Sequence, residues 1–168
     1  KLEDGGPVYY RTQRVGENGH IFSMLKFRSM VVNADKIQAQ VNEVDAEGNL
    51  LYKKPDDPRV TRIGRFLRRT SLDEMPQLIN VLRGDMSLVG PRPELPWLLD
   101  NYALWQRKRF AVPQGMTGWW QINGRSESPL QYLHTEEDLY YVQNYSLWLD
   151  IQILWKTLAV VLRGKGAY

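Results

Sequence analysis

Between Pro7 and Met30, two runs flank Gly16-Glu17-Asn18-Gly19. An Asn-Gly pair between two such runs is a strong tight-turn signal. The stretch therefore reads as a β-hairpin. In its second strand Ile21, Ser23, Leu25 and Phe27 alternate with Phe22, Met24, Lys26 and Arg28, which puts Lys26 and Arg28 on one face. Beyond the hairpin the period lengthens. Residues 30–42 read as helical, and 45–58 form a turn-rich excursion closed by Pro55 and Pro58. Val60, Ile63 and Leu67 then recur at helical spacing, with Gly64 as the weak point.

The next segment is "RRTSLDEMPQL", residues 69–79. Ser71-Leu72-Asp73-Glu74 matches a capping box, but a cap at Ser71 would bury Pro76 too deep in the helix. A cap at Asp73 places Pro76 in the first turn, where no amide is needed. Met75, Leu78, Ile79 and Leu82 then form an apolar stripe that Gly84 ends. "GPRPELP", 90–96, is a stiff non-helical turn. A helix is expected through 96–110 and a loop through 112–129. A further helix opens at Ser128-Pro129, and the last spans 146–163. The expected fold class is α+β, mainly helical with a small β-hairpin, in one domain over residues 1–168.

Composition narrows the chemistry. Cysteine is absent and His20 and His134 are the only histidines, so thiolate or multi-histidine zinc sites and a Ser-His-Asp triad are disfavoured. In "HTEED", 134–138, Thr135 reads as a cap followed by acids at a helix start, ahead of a metal site. The phosphate-loop, dinucleotide and nucleophile-elbow motifs are missing. Net charge is only +3, yet Arg59, Arg62, Arg65, Arg68 and Arg69 crowd into eleven residues. Such density suits phosphates, anionic lipid or nucleic acid. Arg107, Lys108 and Arg109 read as surface charge, with lipid headgroups as the alternative. No run reaches the ~18 apolar residues of a spanning helix. Trp148 and Trp155 make 146–164 a candidate for lying at a membrane interface, against an ordinary amphipathic helix.

The acidic pair behind the arginines is the most informative feature. A cap needs one acid and leaves the basic neighbourhood unexplained. A carboxylate that attacks a phosphoryl group needs cations to neutralise phosphate oxygens, and a second carboxylate is a natural Mg²⁺ ligand. Asp73 as nucleophile and Glu74 as metal ligand fit that recipe. Adjacent acids at a helix start are common enough that spacing leaves both readings open.

The words "LKFRSM", "DPRVTRIGRFLRRTSLDEMPQLINVLRGDMSLVGPRPE", "PQGMTGWWQINGR" and "YSLWLDIQILWKTLAVVLRGKGAY" resemble, in order along nearly the whole chain, the bacterial sugar transferases. These are the monotopic phosphoglycosyl transferases, including undecaprenyl-phosphate glucose and galactose phosphotransferases. The resemblance implies a catalytic domain at the cytoplasmic face of the bacterial inner membrane. It would transfer a hexose 1-phosphate from a UDP-sugar to undecaprenyl phosphate, releasing UMP and initiating exopolysaccharide, capsule or O-antigen. It implies a ping-pong course, with Asp73 as nucleophile and Glu74 holding Mg²⁺. Lys26, Arg28 and Arg68 match phosphate-binding positions, and Pro91-Arg92-Pro93 matches the word associated with the uridine end. Gln121, Asn123 and Arg125 are assigned to the substrate pocket. The family's re-entrant membrane helix is expected upstream of Lys1, and the resemblance leaves room for a homodimer. Two rivals remain: a basic, aromatic nucleic-acid binder using Trp119 and Trp120, and a membrane-surface adaptor without catalysis. Neither gives the acidic pair a purpose, and the resemblance implies no nucleic-acid partner.

Overall fold

A computed structural model describes residues 3–37, 57–123 and 135–163. The expected hairpin is present. Strand β1, Tyr9–Val15, pairs antiparallel with β2, Ile21–Phe27, in a register that sets Tyr9 opposite Phe27 and Val15 opposite Ile21. Residues Glu17–Gly19 make the turn as a single 3-10 turn, with Asn18 at φ 52° and Gly19 at φ 82°. Those left-handed angles are why Asn and Gly stand there. The helix expected over 30–42 is corrected where it is described: Met30 bridges Val60 in antiparallel fashion, Asn33 turns at φ 64°, and Ala34–Ile37 form a short 3-10 turn. Residues 38–42, the excursion up to Asp56 and the helix start at Ser128-Pro129 lie outside the described residues.

Helix α1 runs Arg62–Arg69, with Thr61 as its cap: the Thr61 hydroxyl accepts from the Gly64 amide at 2.9 Å. Gly64 weakens the helix in isolation but serves a close crossing, because a Cβ there would lie 1.9 Å from the Ser29 carbonyl oxygen. The expected cap at Asp73 is corrected. Leu72–Glu74 form a separate 3-10 turn after Ser71, which sits at φ 57°. Helix α2 begins only at Gln77, follows Pro76 and ends at Gly84, φ 78°. The left-handed Ser71 and the missing Pro76 amide keep this stretch from starting as one α-helix.

The apolar stripe expected on α2 is corrected as well. Met75, Ile79 and Leu82 are exposed, Leu82 to 88%, while Gln77 and Asn80 are buried. Asn80 explains the inversion. Its side chain accepts from the Leu25 amide at 3.0 Å and donates to the Ser23 carbonyl at 2.9 Å. It thus pairs the open edge of β2 as a further strand would.

Two three-residue strands, β3 Ser87–Val89 and β4 Gly115–Thr117, pair in parallel. Both went unnoticed in the sequence, and β4 and helix α3, Trp119–Asn123, lie inside the expected loop. The helix expected over 96–110 is instead two 3-10 turns, Pro96–Asn101 and Gln106–Ala111. Extended Tyr102 separates them and turns its ring inward. Helices α4, Thr135–Gln143, and α5, Leu147–Arg163, complete the described chain. One core cluster packs Phe22, Met24 and Met86 under the hairpin, and a second packs Val89, Tyr141, Leu149 and Ile153 beneath α5. The architecture is a mixture of helices with two small sheets, and no helix among the described residues is long and apolar enough to cross a membrane.

Candidate active site

Three elements converge on the acidic pair. The 3-10 turn carries Asp73 and Glu74, β2 brings Lys26, and the stiff segment after β3 brings Arg92. Lys26 Nζ donates to Glu74 Oε1 at 2.8 Å, and Arg92 Nη2 donates to the same oxygen at 3.0 Å. All three side chains are largely buried, so the attraction acts in a medium less polar than water. Both contacts fall on Oε1, which leaves Oε2 directed elsewhere.

Burial alone would push Glu74 up. The charges of Lys26 and Arg92 and their hydrogen bonds outweigh it, and Glu74 is held well below the usual carboxylate range. Arg92 is correspondingly raised by Glu74. Burial pushes Lys26 down, opposed by Glu74. Asp73 goes the other way: burial raises it, and Lys26, Arg68 and Arg92 only partly counteract that. The two adjacent acids therefore differ in kind, one a fixed anion and the other a carboxylate held at a cost.

Of the arginine-rich stretch, only Arg68 turns toward this group. Its Nε donates to the Ser29 hydroxyl at 2.9 Å, and its charge acts on Asp73. Arg59 is committed to Asp57 at 2.6 Å, and Arg62, Arg65 and Arg69 face solvent. Arg28 does not join the site. Its guanidinium pairs with Asp4 and donates to the carbonyls of Pro7 and Met30, because the chain leaves the strand after Phe27. Gln121 is buried and donates to the Met116 carbonyl at 3.0 Å, Asn123 is exposed at the end of α3, and Arg125 lies outside the described residues. Pro91 and Pro93 are buried flanks of Arg92.

A cavity of about 310 Å³ opens beside Glu74. Leu72, Met75, Leu88, Met116 and Leu154 give it an apolar lining, with Ser71, Thr70 and Gln121 at its polar margin. A charged centre in which Lys26, Arg68 and Arg92 outnumber two carboxylates, next to an apolar groove, suits an amphiphile with an anionic head.

Sequence reasoning missed a buried group beside Arg92. Arg109, read as surface charge, is fully buried and paired with Asp138 at 2.6 Å and Glu94 at 3.4 Å. In sequence nothing separates it from exposed Arg107 and Lys108; only the company of Glu94 and Asp138 across the fold does.

Among the described residues no three His, Asp or Glu side chains converge as a metal cage. Mg²⁺ commonly takes one or two carboxylates plus substrate phosphates and water. The hard oxygen Oε2 of Glu74, not engaged by Lys26 or Arg92, fits that mode of binding.

A family model described as bacterial sugar transferase matches residues 1–164. The chain is 49% identical over 169 residues to a UDP-galactose-lipid carrier transferase of Erwinia amylovora, covering 98% of this chain and 35% of that protein. It is 47% identical to an undecaprenyl-phosphate galactose phosphotransferase of Salmonella typhimurium, with the same coverage. An exopolysaccharide production protein of Sinorhizobium fredii is 40% identical and is covered over 76% of its length. The chain thus spans about a third of the first two relatives and most of the third.

Proposed function

The chain belongs to the bacterial sugar transferase family, and from that premise we propose that it transfers a hexose 1-phosphate from a UDP-sugar to undecaprenyl phosphate. The observation that carries the reading is the contrast within the acidic pair: Glu74 is fixed by Lys26 and Arg92, while Asp73 beside it is spent on no cap.

In the first half-reaction the Asp73 carboxylate attacks the β-phosphorus of the UDP-sugar. The bond from that phosphorus to the oxygen bridging the two phosphates breaks, and UMP leaves with the electron pair. An aspartyl phospho-sugar remains. In the second, a phosphate oxygen of the lipid attacks the same phosphorus, and the aspartyl carboxylate is released. Lys26, Arg68 and Arg92 neutralise phosphate oxygens that would otherwise repel the carboxylate. Glu74 Oε2 would help hold Mg²⁺, which would supply further neutralisation of the diphosphate when bound. The apolar cavity beside Glu74 supports a lipid acceptor, with isoprene units against Met116 and Leu154.

The exposed apolar side of α5 supports association with a membrane surface, and in this reading the family membership supports the cytoplasmic face of the inner membrane as that surface. Relatives named for galactose make UDP-galactose the first donor to test, and the relative named for exopolysaccharide production supports a role in starting a surface glycan.

The test is UMP release from UDP-galactose with Mg²⁺ and no lipid acceptor. The expected result is a burst approaching one UMP per enzyme, lost on chelation and absent in Asp73→Asn. Undiminished release by Asp73→Asn would overturn the covalent course.

A further inference from the structure

Four consecutive carbonyls around Arg92 are each held by a donor, two of them from the end of β1 and two from the 109–115 stretch. The Gly115 amide donates to the Pro91 carbonyl at 2.9 Å, and Arg109 Nη2 donates to that of Arg92 at 2.9 Å. Arg14 Nη1 donates to the Pro93 carbonyl at 3.4 Å, and the Val15 amide to that of Glu94 at 2.8 Å. Pro91 and Pro93 also have fixed φ and no amide of their own. This segment is clamped far more tightly than a connecting turn requires, and the side chain it projects is the guanidinium seated on Glu74.

Arg109 is the costly part of the clamp. It has no exposed surface and lies against the rings of Tyr102 and Phe110, with centroids 5.6 and 5.4 Å from its guanidinium carbon. Its Nη1 donates to the Tyr102 hydroxyl at 2.7 Å and to Glu94 Oε2 at 3.4 Å, while the Tyr102 hydroxyl donates to the same Glu94 oxygen at 3.0 Å. Its Nη2 bridges the Asp138 carboxylate, at 2.6 Å, and the Arg92 carbonyl. Burying one cation between two carboxylates is a poor route to stability compared with apolar packing. A planar fork can nevertheless fix a carbonyl, a hydroxyl and two carboxylates in one plane, which a lysine cannot.

We infer that Arg109 is a positioning residue: through the Arg92 carbonyl, its buried fork fixes where the Arg92 guanidinium meets Glu74 and the substrate phosphate. The catalytic use of Arg92 rests on the transfer reading above; the positioning does not. Misplacing a substrate-binding group by about 1 Å slows reactions on the order of 10²-fold, so a device reaching from Asp138 to Arg92 has a measurable purpose.

The test is a double-mutant cycle on single-turnover UMP release, using Arg92→Ala, Arg109→Lys and the pair. The Arg92 Nε–Hε nuclear magnetic resonance signal is followed in wild type and Arg109→Lys. Lysine keeps the cation for Asp138 while losing the fork; if that variant does not fold, Tyr102→Phe, which removes one hydrogen bond from the fork, takes its place. The expected result is a slowing on the order of 10²-fold in Arg92→Ala and ~10- to 100-fold in Arg109→Lys, with little further loss in the pair. The Arg92 signal should shift in the Arg109 variant. Multiplying losses, or an Arg92 signal unmoved in a folded Arg109 or Tyr102 variant, would overturn the inference. Should wild type release no UMP, the transfer reading fails, and the Arg92 signal alone decides the positioning.

Discussion

Asp73 and Glu74 are adjacent, yet the fold treats them oppositely. Glu74 receives two cations and is held ionised, whereas Asp73 is raised mainly by burial. A carboxylate raised in the folded state favours folding most when protonated. That contribution is full below the unfolded value, near the ordinary 3.8, and is lost as pH rises through the folded value. At neutral pH the native chain therefore carries the cost of a desolvated anion. Asp73→Asn is expected to melt at a higher temperature than wild type at pH 7, with the difference vanishing toward pH 3.5. Scanning calorimetry across that range checks it, and equal melting temperatures at pH 7 would refute the burial argument. Such a trade of stability for reactivity is common at active sites. The clustered arginines drew attention to this pair in the sequence, but spacing alone left the cap reading open beside the nucleophile reading, and only the resemblance to a family favoured the latter. Arg109 was not legible, since a buried arginine and a surface arginine are the same letter. Lys26 and Arg28 illustrate the middle case: period two put both on one face, but the strand ends at Phe27, and only Lys26 reaches Glu74.

At the level of elements, the crossing of α1 over the end of β2 sets the arginine that faces Asp73. The helix is capped by Thr61 and passes the Ser29 carbonyl at Gly64; the Ser29 hydroxyl then receives Arg68. Gly64→Ala would force a methyl group to 1.9 Å from a backbone oxygen and 2.6 Å from its carbon, and neither atom belongs to a flexible side-chain end. The expected outcome is a loss of roughly 2–4 kcal/mol in urea unfolding, together with slower UMP release as Arg68 is displaced. Gly84→Ala is the contrast. Nothing lies within 4 Å of its Cβ, so only the left-handed backbone strain is charged, about 1 kcal/mol. Equal losses at the two glycines would remove the close approach as the reason for Gly64. The hairpin, α5 and the Gly84 stop were readable because each has a long period or a decisive turn residue. The β3–β4 pair was not, because three-residue strands carry too little alternation and their pairing joins residues 28 apart. Asn80 hid the true burial of α2, since hydrogen bonding to the edge of β2 overrode its apolar stripe.

On the scale of the whole molecule, apolar surface is distributed unevenly. Helix α5 buries Leu149 and Ile153 against the core and turns Leu147, Trp148, Ile151, Trp155 and Leu158 outward, with Trp148 69% and Trp155 77% exposed. The heptad spacing of Trp148 and Trp155, and of Ile151 and Leu158, shows this to be one side of a helix and no scatter of single residues. The apolar cavity beside Glu74 reaches the same helix at Leu154 and Val160, so surface and site share an element. Large apolar patches of this kind mark partners or membranes, and paired tryptophans favour an interface where indoles meet headgroups. The chain is expected to co-sediment with vesicles of phosphatidylethanolamine and phosphatidylglycerol. Its net charge of +3 should contribute a modest salt-sensitive part. Replacing both Trp148 and Trp155 by Ser should weaken partitioning at least tenfold, or about 1.4 kcal/mol, while leaving lipid-free UMP release intact, because neither indole lines the cavity or the acidic pair. Unchanged partitioning would transfer the apolar side of α5 to a protein contact, and a concentration-dependent dimer in analytical ultracentrifugation would then be the observation that accounts for it.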